Sequence, residues 1–314
     1  MELTNKKINK KANRLQKRAL LKKQIKASRT LYSMMAPYLI IFLTFTVIPV
    51  IISFFLSFTS YDMLQFPRFV GLKNYIALFL YDEVFIIALR NTFILAIFTG
   101  PLSYILAFFF AWLINELPPR FRWIMTIIFY APSISGNAYL LWSLIFSGDM
   151  YGYANTLLMS IGIIWEPIMW LQNPKYILPI LIIVQLWLSL GVSFLAFIGG
   201  LQNTNKELYE AGALDGVQNR WQELWYITLP QMKPQLLFGA VMQITASLGI
   251  ASVATALAGL PSVEYAGHTI VTHLLDYSGN KMELGYASAI ATVLFFIMIF
   301  ANLIVQKILR RVGS

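Results

Sequence analysis

The 314 residues are 58% hydrophobic and only 12% charged, where a soluble domain carries about a quarter charged residues, so an ordinary water-soluble domain is excluded. The formal charge of +10 sits largely at one end: eleven of the 24 Lys and Arg residues fall within the first 29 positions, against one acid, Glu2. With no cysteine, disulfides, thiolate metal sites and cysteine nucleophiles are excluded as well.

In chain order, a basic tail (residues 1–33) comes first. A basic run that abuts a long apolar stretch reads as an anchor on anionic lipid, and no nucleic-acid partner is expected. The tail is a poor signal peptide, because its basic region is too long and no A-x-A-like cleavage site follows. Crossing the hydrocarbon core takes about 20 apolar residues, since backbone groups in lipid must bond one another. Six stretches free of Asp, Glu, Lys and Arg meet that need, and spans are placed near 35–58, 91–114, 124–147, 177–200, 236–257 and 285–306. A shorter uncharged run at 150–165, studded with Gly and Asn, reads as an outer-face loop or partial helix.

The loops set the orientation. With the N-terminus inside, the inner segments carry nineteen Lys and Arg and the outer segments five, so both termini are expected in the cytoplasm. The expected spans contain no Asp, Glu, Lys, Arg or His, the residues that drive ion-coupled carriers. No G-x-x-x-x-G-K-[ST] occurs, so no nucleotide site is expected on this chain. Polar and aromatic residues that could meet a hydroxylated solute are Asn137 and Tyr139 in the third span, Gln185 and Trp187 in the fourth, and Gln243 and Ser247 in the fifth. Each also suits plain packing or bonding between helices. Pro101, Pro132 and Gly191 are candidates for bends. His268 and His273, in the outer loop before the last span, match no H-E-x-x-H pattern and read as solvated loop histidines, and no metal site is expected. No G-x-S-x-G elbow surrounds Ser193, and no catalytic residue is assigned.

The inner loop 201–235 carries the densest pattern. Thr204 with Glu207 fits a capping box, so a short helix is expected to start there. Asp215-Gly216 signals a sharp turn. A second helix is expected from about Gln218 to Thr228, with Trp221, Leu224, Trp225 and Thr228 on one face and Pro230 ending the element.

Glu210-Ala211-Gly212, Asp215-Gly216 and Ile227-Thr228-Leu229-Pro230 resemble the EAA motif of permease subunits in binding-protein-dependent ABC importers. Phe69-Val70-Gly71-Leu72-Lys73-Asn74-Tyr75 and Arg90-Asn91-Thr92 resemble the carbohydrate branch, the maltose-permease type, and the likeness runs from about residue 34 onward. Gly212 stands where the family usually has Ala, and the stretch from Gly216 to Pro230 is one residue longer than usual.

The resemblance implies an all-α, six-span, type I ABC importer permease fold in a bacterial plasma membrane, with residues 34–314 as its transmembrane domain. It also implies import of a sugar or oligosaccharide without catalysis by this chain. The partners would be a second related permease, two ATPase subunits that use ATP and Mg, and an extracytoplasmic solute-binding protein. Another polar solute on the same machinery, or a polytopic membrane enzyme or structural protein, are the alternatives. Glu210, Asp215 and Gly216 would serve docking and turn geometry, Ala211 close approach, and Pro230 the end of the element.

Overall fold

The computed structural model describes residues 28–311, so the tail up to residue 27, and with it most of the expected lipid anchor, lies outside the described residues. The chain divides into two compact units, Met1–Phe55 and Leu56–Ser314. In the first, α1 (Arg29–Phe42) passes through a π turn at Leu43–Val47 into α2 (Ile48–Leu56). The helix therefore begins ahead of the tail boundary at residue 33. The π turn has a local cause in Pro49, which lacks an N–H and whose ring collides with the carbonyl four residues back; widening the turn upstream relieves both.

The second unit opens with a short antiparallel pair, β1 (Thr59–Ser60) and β2 (Arg68–Phe69), with Thr59 opposite Phe69. In the next helix, α3 (Lys73–Leu80), Asn74 Nδ2 donates to the carbonyls of Ser57 and Thr59, each at 2.9 Å. Helix α4 (Glu83–Asn115) starts at Glu83, not at 91 as the charge-free run suggested. Asp82 is the reason, because its carboxylate accepts the Phe85 amide at 2.9 Å and caps the helix. Glu83 and Arg90 thus lie within the first turns of a helix that was expected to carry no charge. Pro101 sits inside α4 without ending it.

The third expected span is not one helix. It is split into α5 (Pro119–Ile134) and α6 (Leu140–Ile145). Pro132, Ser133, Ser135 and Gly136 place poor helix formers in close succession at the break. Further on lie α7 (Tyr153–Ser160), α8 (Pro174–Leu188), α9 (Val192–Gln202), α10 (Lys206–Leu214) and α11 (Arg220–Glu223). A π turn at Leu224–Thr228 leads to α12 (Leu229–Gln231), α13 (Lys233–Leu248), α14 (Ser252–Ala258), α15 (Ile270–Leu275) and α16 (Leu284–Arg311). Among the described residues, five helical stretches are long and apolar enough to cross a membrane: Thr30–Leu56, Glu83–Asn115, Pro174–Gln202, Lys233–Ala258 and Leu284–Leu309.

Helix α4 is the central pillar of the second unit. Its buried stripe is rich in small side chains, among them Ala88, Thr92, Thr99, Ser103, Ala107 and Ala111, which let neighbouring backbones approach closely. Three apolar clusters follow its length. Phe85 joins Leu78, Ile270 and Ile290 at one end; Leu95 joins Ile177, Leu181 and Val253 in the middle; Ala107 and Ala111 join Phe194, Phe197 and Met232 at the other.

Candidate functional site

Loop 201–235 folds as helix, turn, helix, with different details from those expected. Helix α10 is capped by Asn205, whose side chain accepts the Glu207 amide at 3.1 Å. Thr204 does not cap it; its hydroxyl donates to the Gly200 carbonyl at 3.2 Å, closing the preceding helix. At the other end Gly216 adopts φ +93°, the Val217 amide donates to the Gly212 carbonyl at 2.9 Å, and the Gly216 amide to Ala213 at 3.4 Å. This is a Schellman stop, which satisfies the last carbonyls of the helix at the Asp215-Gly216 corner.

Gly212, not Ala211, is the residue of close approach. Ala211 is exposed, whereas Gly212 is buried, and a Cβ there would fall 2.6 Å from Ile227 Cδ1. The missing methyl thus has a tertiary use that offsets its cost of about 1 kcal/mol in a helix. The second arm does not present one apolar face. Leu224, Ile227 and Thr228 are buried, while Trp221 and Trp225 are exposed. The π turn at Leu224–Thr228 rotates the face away from regular spacing. It also lets the chain run on through Pro230, so the break falls at Met232 and Pro230 does not end the element.

The two arms are bonded to each other and to the body. Thr228 Oγ1 donates to the Glu223 carbonyl at 3.2 Å and so accepts from Tyr209 Oη at 2.9 Å. Arg220 reaches Glu223 at 2.6 Å and Glu116, in the short connection after α4, at 3.1 Å. Glu210, Ala211 and Asp215 remain exposed.

The candidate solute residues separate into two groups. Gln243 and Ser247 are buried in the packing: Gln243 Nε2 donates to the Ser189 carbonyl at 3.1 Å, at the break between α8 and α9, and Ser247 bonds Ile244 in its own helix. Gly191 at that break lies against Ser133, beside the break between α5 and α6. Asn137 is exposed within that second break and accepts the Tyr139 hydroxyl at 3.1 Å. Trp187 packs edge-on to Trp142 at 5.7 Å and lines an apolar cleft of about 320 Å³ with Phe110, Phe129 and Pro132. Gln185 is half-buried on the same helix. Two interrupted helices therefore meet where Gly191 lies against Ser133, two residues on from the Ser189 carbonyl that Gln243 bonds. Such breaks free backbone groups only where protein or a water-filled path satisfies them.

Residues 92–314 match the family of binding-protein-dependent transport system inner membrane components. The chain belongs to that family. Its members are transport permeases, so this multi-pass membrane chain is an ABC transporter permease subunit and not an enzyme. Similar proteins include the probable ABC transporter permease YesP of Bacillus subtilis, 35% identical over 88% of this chain and 89% of that one. The arabinooligosaccharide permease AraP of Bacillus subtilis is 30% identical over 88% and 87%. Among solved structures, a bacterial ABC transporter involved in import of the acidic polysaccharide alginate superposes with a TM-score of 0.73 at 25% identity, over 94% of this chain and 99% of that chain.

The permease has a second polar constellation, which spacing did not reveal. His268 and His273 are not solvated loop residues; they are 2% and 1% exposed. His273 Nε2 donates to Asp82 Oδ2 at 3.0 Å, and His268 Nε2 lies 3.2 Å from His273 Nδ1. In the arrangement that gives every proton an acceptor, His268 donates to His273 and leaves its Nδ1 as a bare nitrogen, the atom that lacks a partner. Tyr286 also donates to Asp82, at 2.8 Å. Burial alone would raise the Asp82 carboxyl, but hydrogen bonds from His273, the Phe85 amide and Tyr286 hold it well below the usual carboxylate range. Burial, with neighbouring His273, pushes His268 down to about 4. Asn91 ties the same loop to α4, donating to the carbonyls of Tyr265, Ala266 and His268 at 3.0–3.2 Å. The sequence did hold one signal, since Asp82 followed by Glu83 stands just ahead of the apolar stretch 84–89, as an N-cap residue and an acidic first turn should.

Proposed function

We propose that this permease imports a sugar or oligosaccharide, delivered by an extracytoplasmic solute-binding protein, and that α10 to α12 receive the work of separate ATPase subunits. The carrying observation is how that element is tied together. Gly212 against Ile227, Tyr209 on Thr228 and the Schellman stop lock both arms together, while Glu210 and Asp215 stay exposed on the outside. A locked helix pair passes on a rigid-body displacement that a loose loop would absorb. ATP and Mg would be bound by two partner ATPase subunits, and a second related permease would complete the path in a heterodimer. The family description itself supports the binding-protein partner.

Six spans with both termini in the cytoplasm fit this reading, with α5 and α6 together as the third. A bacterial plasma membrane agrees with the Bacillus relatives, and the basic tail, lying outside the described residues, would sit on anionic lipid. AraP is named for arabinooligosaccharides and the alginate transporter for a polysaccharide; both support a saccharide here. The path would follow the helix breaks, with Asn137, Tyr139, Gln185 and Trp187 toward the solute and Gln243 and Ser247 holding the frame.

Glu210→Lys is the test. In vesicles containing the whole complex, the variant should insert normally and retain ATP hydrolysis while losing uptake. Uptake at the parental rate would refute the assignment.

A further inference from the structure

Two cavities at the α4 end nearest the coupling element share a wall. The first, about 230 Å³, is polar and is lined by Asn115, Glu116, Arg122, Lys206, Arg220 and Glu223 among others. Its carboxylates are already engaged, since Glu116 and Glu223 both bind Arg220. Arg122 has no acidic partner among the described residues; its Nη2 donates to the Asn115 and Leu117 carbonyls at 2.7 and 3.2 Å, which pins the guanidinium at the wall. Lys206 forms no ion pair among the described residues and is the first residue of α10, where the helix dipole adds to its positive charge. Three cations thus face two carboxylates, a net charge of +1, and Arg122 and Lys206 are the two whose charge no carboxylate meets among the described residues. Arg122 Nε and Asn115 Oδ1 are buried there without protein partners.

The second cavity, about 600 Å³, is apolar. Its lining includes Tyr104, Phe108, Phe109, Trp221, Leu236 and Leu309. Trp112 lines both, and Trp221 packs against it at 5.3 Å. Trp112 lies in the last turn of a spanning helix, at the level where tryptophans mark the boundary between hydrocarbon and water. A cationic pocket opening beside an apolar groove, at that level, matches a molecule with an anionic head and a hydrocarbon tail.

We infer that these cavities form one site for an anionic phospholipid, with the phosphate toward Arg122 and Lys206 and an acyl chain along Phe108, Phe109 and Leu236. Its lining residues come from position 104 onward in the sequence, and the assignment does not depend on the transported solute. Its occupant would bridge the connection after α4 and the first turn of α10, and so stiffen the footing of the coupling element.

The test uses the full transport complex in mixed micelles, with phosphatidylglycerol carrying a photoreactive acyl chain diluted in phosphatidylcholine. Crosslinks should concentrate on peptides covering 104–112 and 221–237, and native mass spectrometry should show phosphatidylglycerol retained over phosphatidylcholine. Lys206→Gln should lower that retention about fivefold, the value of one interfacial charge. Because Arg122 also holds two backbone carbonyls, Arg122→Gln serves only as the second variant, read alongside a folding control. Equal retention of both lipids, crosslinks spread evenly over all spanning helices, or their absence because a partner subunit covers the groove would each overturn the assignment. So would glycerol phosphate binding as tightly as the lipid, which would make the site one for a soluble anion.

Discussion

Gly216 turns the Asp215-Gly216 corner at φ +93°, a conformation that costs an L-residue with a side chain about 1–2 kcal/mol. Gly216→Val should therefore lower the thermal midpoint of the purified complex and reduce uptake, while Gly216→Asn, which tolerates this region, should recover most of both. The loop before the last spanning helix offers a pH-dependent counterpart. His268 is held down to about 4 in the fold, against 6.5 ordinarily, so below 6.5 the unfolded chain takes up a proton that the folded chain refuses. Stability should thus fall as pH drops from 6.5 toward 4, by something of order 3 kcal/mol, and His268→Gln should flatten the slope in a thermal-shift series. Asp82 acts lower on the scale. Its carboxylate stabilises the fold above the ordinary value of 3.8, and that contribution is lost only as pH falls further, through its depressed folded value.

At the scale of elements, the same device occurs twice: a π turn directly ahead of an Xaa-Pro pair, at Leu43–Val47 before Ile48-Pro49 and at Leu224–Thr228 before Leu229-Pro230. In loop 201–235 this lets the second arm run past Pro230 while Thr228 faces α10. The Tyr209–Thr228 bond then becomes the link between arms. A double-mutant cycle with Tyr209→Phe and Thr228→Val should give a coupling of about 0.5–1.5 kcal/mol in stability, with either single change reducing uptake more than ATP hydrolysis. Additivity of the two changes would show that the arms are joined by packing alone. The helix-turn-helix outline was legible from Asp215-Gly216. The face was not, because periodicity assumes 3.6 residues per turn and a π turn departs from that spacing.

For the whole molecule, the absence of cysteine makes orientation directly measurable. In sealed cells, Asp215→Cys should be shielded from a membrane-impermeant maleimide until the cells are opened, whereas Ser278→Cys and Asp149→Cys should label from outside. Labelling of Asp215→Cys in intact cells would reverse the topology and remove the coupling element from the compartment that holds ATP. The third spanning segment belongs to this scale too. Its apolar length was plain, but its division into α5 and α6 is held by neighbours: Gly191 lies against Ser133, and Trp142 packs on Trp187.

By itself, the amino-acid sequence determined that this chain lives in a bilayer, roughly where it crosses, and that a helix pair with a glycine corner joins two of the crossings. These follow from hydropathy over about 20 residues and from local backbone chemistry, both written in contiguous stretches. Tertiary structure alone decided which residues lie close across the fold: Gly212 under Ile227, Gln243 on the Ser189 carbonyl, and Asp82 with His273 and Tyr286. Each of those contacts joins residues that no local sequence pattern pairs. Whether a histidine is solvated or buried depends on the helices that close over it, and no local pattern records that.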